Sequence, residues 1–170
     1  VTTPQQKIDK TRIFGGDQVD IRLSGDYFDQ TLAAAQAYCA ERSAHFLSPF
    51  DDADVIEGQA SVAVEILGQL GRAPDLVVLP VGGGGLISGI AGYLKGVGRE
   101  LSVVGCQPAN SRVMYESIQV GHQVDIPSDP TLSDGTAGGI ESDSLTFPLC
   151  RALVDEWTLV SEADIAEGVR

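Results

Sequence analysis

Residues 77–88 read Val77-Val78-Leu79-Pro80-Val81-Gly82-Gly83-Gly84-Gly85-Leu86-Ile87-Ser88, an apolar run that empties through four glycines into a helix-forming stretch. Without Cβ atoms the glycines reach positive φ angles, and their N–H groups can close on an anion with no side chain in the way. The helix that follows adds its positive end and its unpaired first-turn N–H groups, so the pattern suits a phosphate without needing Lys or Arg. A Walker A loop is excluded, because Ile87 and Ser88 stand where its second Gly and its Lys would fall. A Gly-x-Gly-x-x-Gly fingerprint fails too: whether it starts at Gly82 or Gly83, Ile87 or Ser88 takes the third glycine. A single phosphate is the simpler guest. The plain alternative is a tight strand-to-helix turn, although four consecutive glycines cost more chain entropy than a turn requires.

The elements that must position this loop follow from periodicity. Pro4 can open a helix over Gln5 to Phe14 that Gly15-Gly16 stops. Strict alternation at Val19-Asp20-Ile21-Arg22-Leu23 predicts a half-buried strand, and Ser24-Gly25-Asp26 a turn. Phe28, Leu32, Ala35 and Cys39 share one face of a helix over 27–42. Ala44 to Leu47 reads as a short strand, ended by Ser48-Pro49. An acidic loop near 48–57 is the candidate crossing between two lobes, and Val62, Ile66 and Leu70 mark a helix over 56–70. Leu76-Val77-Val78-Leu79 has the character of a parallel strand covered on both faces. Beyond the glycines we expect a helix at Leu86–Lys95, a strand at Ser102–Cys106, helices at Ser111–Gln119 and Phe147–Glu156, and a strand at Thr158–Val160. Such alternation predicts an α/β fold with a mostly parallel sheet flanked by helices.

Composition narrows the function classes. The 170 residues are 43% hydrophobic, enough for a real core, and glycine supplies 20 of them against a usual share of about 7%. Lys and Arg number 11 against 24 Asp and Glu, a net charge of −13, which would repel a nucleic-acid backbone. The odd set Cys39, Cys106 and Cys150 has neither disulfide-scaffold nor zinc spacing and fits reduced thiols. No stretch has the length of a membrane span, and Val1–Lys10 lacks the pattern of a signal peptide. The expectation is a cytoplasmic chain with no nucleic-acid or membrane partner. His45 and His122 are expected in structural or solvent roles.

Pro80-Val81-Gly82-Gly83-Gly84-Gly85-Leu86, with Val55-Ile56-Glu57-Gly58-Gln59 upstream and Asp134-Gly135-Thr136-Ala137 downstream, resembles the threonine/serine dehydratases (threonine ammonia-lyases). These are pyridoxal-phosphate enzymes of the tryptophan synthase β-subunit fold type. Thr3-Pro4-Gln5-Gln6-Lys7 and Phe14-Gly15-Gly16 are similar to the late part of that family's small lobe, and Phe147 to Val160 to its Leu-Val-Asp-Glu segment. The resemblance implies a two-lobed fold in which 1–50 are the late part of the small lobe and 51–170 part of the large cofactor-binding lobe. It implies pyridoxal phosphate as cofactor, its phosphate held by Gly82, Gly83, Gly84, Gly85 and the N–H of Leu86. Phe50 matches a position lining the cofactor pocket, and Gly135 a glycine near the pyridine ring. For both, an ordinary core aromatic and a plain turn remain the alternatives.

The departures are as informative. The family's chemistry needs a lysine joined to the cofactor as a Schiff base and a Ser-Gly-Asn-His loop for the substrate carboxylate, and this sequence contains neither motif. Its lysines are Lys7 and Lys10, on an exposed helix, and Lys95, about 14 Å along the helix that follows the glycines. No catalytic residue is therefore assigned here. The expectation is an incomplete portion of a longer enzyme, inactive alone, with an internal start at Val1 and an end inside a helix at Arg170. Some relatives bind a divalent cation through an acidic residue after the strand ending at Cys106; Gln107-Pro108-Ala109-Asn110 stands there, so no metal is expected. The implied reaction converts L-threonine or L-serine to a 2-oxo acid and ammonia. The alternatives are serine racemisation, deamination of 3-hydroxyaspartate, a non-catalytic phospholigand-binding module, or a subunit paired with a lysine-bearing chain. The implied partners are a small amino-acid substrate and either further copies in a homo-oligomer or the remaining part of the same enzyme.

Overall fold

A computed structural model describes residues 3–25, 28–98 and 100–170, with the backbone alone at Phe28 and Asp29. The chain divides into two compact units, Val1–Leu47 and Ser48–Arg170. In the first, Pro4 sits immediately before α1 (Gln5–Gly15), where its missing N–H costs nothing, and its carbonyl accepts from Lys7 and Ile8. Gly16 turns to φ 50° and ends the helix, a short 3₁₀ turn runs Gly16–Gln18, and Ile8 is the buried residue of α1. In α2 (Phe28–Arg42) the half-buried residues include Leu32, Ala35 and Cys39, the face expected from their spacing; Phe28's side chain lies outside the description. Arg22 and Arg42 lie over the Tyr38 ring, 4.4 and 4.1 Å from its centroid.

Two expected strands are not formed. Residues 19–23 and 44–47 belong to no strand, although Val19 has an extended backbone. Alternating side chains prepare a segment for a sheet, but a strand exists only where a neighbour completes its ladder, and none does so among the described residues of this unit. Gly25 turns at φ 74°, while Asp26 and Tyr27, expected in the turn and at the helix start, lie outside the described residues.

The second unit is a three-stranded parallel sheet with helices packed on it. Its strands β1 (Leu76–Pro80), β2 (Ser102–Pro108) and β3 (Glu156–Val160) pair in that order, with Val78 opposite Val104 and Cys106 opposite Thr158. Before β1 runs α3 (Ala53–Leu70), started by Asp52, whose carboxylate accepts from the N–H groups of Asp54 and Val55, and ended by left-handed Gly71. Between β1 and β2 lies α4 (Gly85–Gly96), which meets α3 so closely that a Cβ at Gly89 would stand 2.3 Å from the Ile56 carbonyl. The remaining helices are α5 (Val113–Val120), α6 (Thr146–Leu153) and α7 (Glu162–Gly168). Val81, Ile87, Ala91, Val103, Met114 and Cys150 form the buried centre, with Ala63, Ile90 and Leu94 as a second cluster under α3.

Three differences from the sequence expectation have local causes. Among the described residues β1 is covered on one face: Leu76 and Val78 are 52% and 56% exposed, because its helical cover lies on the Val77 and Leu79 side. α5 begins at Val113 rather than Ser111, since the Ser111 hydroxyl is bonded to Ser128 and to the Gly138 N–H. α6 ends at Leu153 rather than running to Glu156, because the Asp155 carboxylate is drawn to Lys95 (2.8 Å to each oxygen) and to the Val103 N–H, which delivers the chain into β3.

Candidate functional site: a glycine cradle at the end of β1

β1 ends at Pro80, and the Val81 N–H still reaches across to the Cys106 carbonyl at 2.8 Å, so the chain leaves the sheet firmly anchored. From Gly82 to Ile87 the N–H groups find no acceptor among the described residues, and the helical pattern resumes with Ser88 N–H donating to the Gly84 carbonyl. Six successive donors thus lie free at the start of α4, a density that a tight turn alone does not require and that an anion satisfies.

Side chains are excluded from this loop for reasons that differ at each position. A Cβ at Gly83 would lie 2.3–2.5 Å from the Phe50 ring, and one at Gly85 would lie 2.8 Å from the Phe50 carbonyl. At Gly82 the obstacle is the Thr136 backbone, 3.2 Å away. Gly84 combines φ +91° with Cys150 Sγ at 2.9 Å and Thr146 Cβ at 3.0 Å. A Cβ at Gly135 would meet nothing within 4 Å. The glycines therefore let the loop lie flat between Phe50, the Thr136 turn and the α6 side chains, keeping its amides clear.

A cavity of about 350 Å³ opens over the loop, lined by Pro49, Phe50, Gln59, Pro80, Gly82 to Ile87, Gly135 and Thr136. The structure thus gathers Gly82, Gly83, Gly84, Gly85, Leu86, Phe50 and Gly135 around one space. No Lys, Arg or His lines it, so its attraction for an anion comes from amides and the α4 end. Beneath it, burial pushes the Cys150 thiol up to about 11 against a weaker opposing bond from Ser88, so no thiolate competes with a bound anion. A larger cavity of about 610 Å³ between α3 and α4 is mainly apolar and has no such row of donors.

Several supporting residues were not legible as such. Gln107, read only as a missing metal carboxylate, is buried; its amide donates to the Val81 carbonyl at 3.1 Å and accepts from the Tyr115 N–H at 2.7 Å, bracing the point where the loop departs. Ser48 is buried, and its hydroxyl donates to Glu141 Oε1 at 2.6 Å while accepting from the Asp51 N–H at 3.0 Å. Asp51 in turn accepts from the Thr146 N–H. Lys95 is engaged by Asp155, whose carboxyl is held below its ordinary range mainly by the Lys95 hydrogen bond. Among the described residues no cluster of three or more His, Cys, Asp or Glu has the arrangement of a metal site.

Residues 1–170 match the sequence profile of the family described as "Pyridoxal-phosphate dependent enzyme". The chain belongs to that family. It is 37% identical over 168 residues to L-threonine dehydratase biosynthetic IlvA of Bacillus subtilis, which covers 99% of this chain and 40% of that protein. The corresponding protein of Burkholderia multivorans is 39% identical over 155 residues, 91% of this chain and 30% of its own length. Among solved structures, processed threonine deaminase isoform 2 of Solanum lycopersicum superposes with a TM-score of 0.82 at 36% identity, over 94% of this chain and 45% of its own. Maize serine racemase superposes at 0.86 with 27% identity, over 98% and 49%. The fold is thus the tryptophan synthase β-like α/β fold of pyridoxal-phosphate enzymes. The chain spans about two fifths of the length of the curated relatives it matches. Among the described residues no helix is long and apolar enough to cross a membrane.

Proposed function

We propose that this chain is the phosphate-binding portion of a pyridoxal-phosphate-dependent threonine/serine dehydratase, with the Val1–Leu47 unit in the small lobe and the Ser48–Arg170 unit in the large one. The observation that carries the reading is the row of unpaired N–H groups from Gly82 to Ile87 under a cavity that no cationic side chain lines. That donor set fits the cofactor's phosphate end: the amides and the N-terminal end of α4 hold a dianion without a counter-charged side chain. Gly82, Gly83, Gly84, Gly85 and Leu86 would hold it, with Phe50 and Gly135 lining the same cavity. Bound pyridoxal phosphate supplies an electron sink for the carbanion formed at an amino acid's α carbon. This chain's part is to fix the orientation of that group, and a fixed orientation lowers the barrier to proton transfer.

The lysine that such an enzyme needs comes from another part of the polypeptide, because Lys95 is paired with Asp155 and does not line the cavity. Threonine as substrate is favoured over serine racemisation by the higher identity to the Solanum lycopersicum threonine deaminase than to the maize serine racemase, 36% against 27%. The enzyme is cytoplasmic and acts on a small amino acid as a homo-oligomer. Ammonia release from L-threonine tests the reading: a longer polypeptide carrying this sequence and the lysine releases it, and the 170-residue chain does not. Release by the 170-residue chain alone would overturn the division of labour.

A further inference from the structure

We infer that Ser48 and Glu141 are a positioning pair that sets the width of the phosphate cradle through Phe50. This deepens the phosphate reading above and rests on it. The Phe50 ring lies 2.3–2.5 Å from where a Gly83 Cβ would be, and the Phe50 carbonyl 2.8 Å from where a Gly85 Cβ would be, so the loop takes its shape from where Phe50 stands. Phe50 belongs to neither helix nor strand, and its segment begins where the second unit begins. Its place is fixed by side chains at three points. Ser48 donates to Glu141 Oε1 and accepts from the Asp51 N–H and, at 3.5 Å, from the Phe50 N–H. Asp51 accepts from the Thr146 N–H, and Asp52 caps α3. The Ser48–Glu141 bond ties the segment's start to the 138–146 stretch across 93 residues of sequence, with a carboxylate acceptor and a buried hydroxyl, and the Asp51–Thr146 bond ties its later part to the same stretch. Neither residue lines the cavity, so the pair acts through Phe50 and not by touching the ligand.

The test uses the polypeptide that carries these residues and the probe pyridoxine 5′-phosphate, which has the ring and phosphate but no aldehyde to bond a lysine. Its Kd and its ³¹P chemical shift are measured beside the thermal midpoint. Ser48→Ala and Glu141→Ala should each weaken binding roughly tenfold and move the ³¹P shift, with the double variant no weaker than either single one. Glu141→Gln keeps the acceptor oxygen and should restore the Kd. Alanine variants that keep their thermal midpoint and bind as the unaltered protein does, while Gly83→Val loses binding, would overturn the pair and leave the cradle standing. A Gly83→Val variant that binds normally would remove the cradle itself, and the pair with it.

Discussion

Replacing Gly84 by alanine probes the loop at its most constrained point. Its φ of +91° is a conformation L-residues reach at a cost of about 1–2 kcal/mol. The added Cβ would also lie 2.9 Å from Cys150 Sγ, 3.0 Å from Thr146 Cβ and 3.1 Å from Met114 Cε. Cys150, Thr146 and Met114 are fully buried and cannot swing aside, so overpacking adds about 1–3 kcal/mol. Together the loss is about 2–5 kcal/mol, a large share of the roughly 5–15 kcal/mol by which domains are stable. Urea unfolding followed by the fluorescence of Trp157, the chain's single tryptophan and a half-buried member of the same core, reads it directly. Cys150→Ala removes the nearest obstacle, so Gly84→Ala should cost about 1 kcal/mol less in that background than in the unaltered chain. Full stability in Gly84→Ala, or costs that simply add in the double variant, would refute the packing argument.

Other expectations follow from the same geometry. Gly89→Ala should destabilise by about 3 kcal/mol or more, because its Cβ meets the Ile56 carbonyl and backbone at Ala60 rather than a movable side chain; urea denaturation checks it. Asp155 has a depressed folded pKa, so its contribution is complete above the ordinary carboxylate range and is lost as pH falls through the folded value. The difference in unfolding midpoint between the unaltered chain and Asp155→Asn should therefore be present at neutral pH and shrink on acidification, and a difference that grows toward low pH would contradict the assignment. Cys150, buried and with a pKa near about 11, should resist iodoacetamide at pH 8 until the chain unfolds, which peptide mass mapping after timed alkylation reveals.

The sequence showed the α/β order and the glycine loop because both are local patterns. Four glycines after a β-prone run, and a helix period behind them, are written in consecutive residues. What it could not show depends on partners far along the chain. The segment 19–23 has a strand's alternation yet no strand, since alternation says which face is apolar and nothing about whether a neighbour is present. Leu76-Val77-Val78-Leu79 has the character of a doubly covered strand, but among the described residues its cover lies on the Val77 and Leu79 side, with Val78 half exposed. Around the cradle, Gly83 and Phe50 meet across 33 positions, and Ser48 meets Glu141 across 93. A lone serine before a proline carries no signal of a buried hydroxyl, and Gln107 signalled only the lack of a carboxylate. Its bond to the Val81 carbonyl exists because β1 and β2 are neighbours.

The central claim is that the backbone amides of Gly82 to Leu86 hold the cofactor's phosphate. Amide ¹H–¹⁵N spectra recorded during titration with pyridoxine 5′-phosphate test it at the atoms concerned, in the polypeptide that carries this sequence. The account predicts downfield amide proton shifts concentrated at Gly82, Gly83, Gly84, Gly85 and Leu86, with slowed solvent exchange at the same groups. Saturable binding that leaves those amides unmoved and shifts others instead would contradict it.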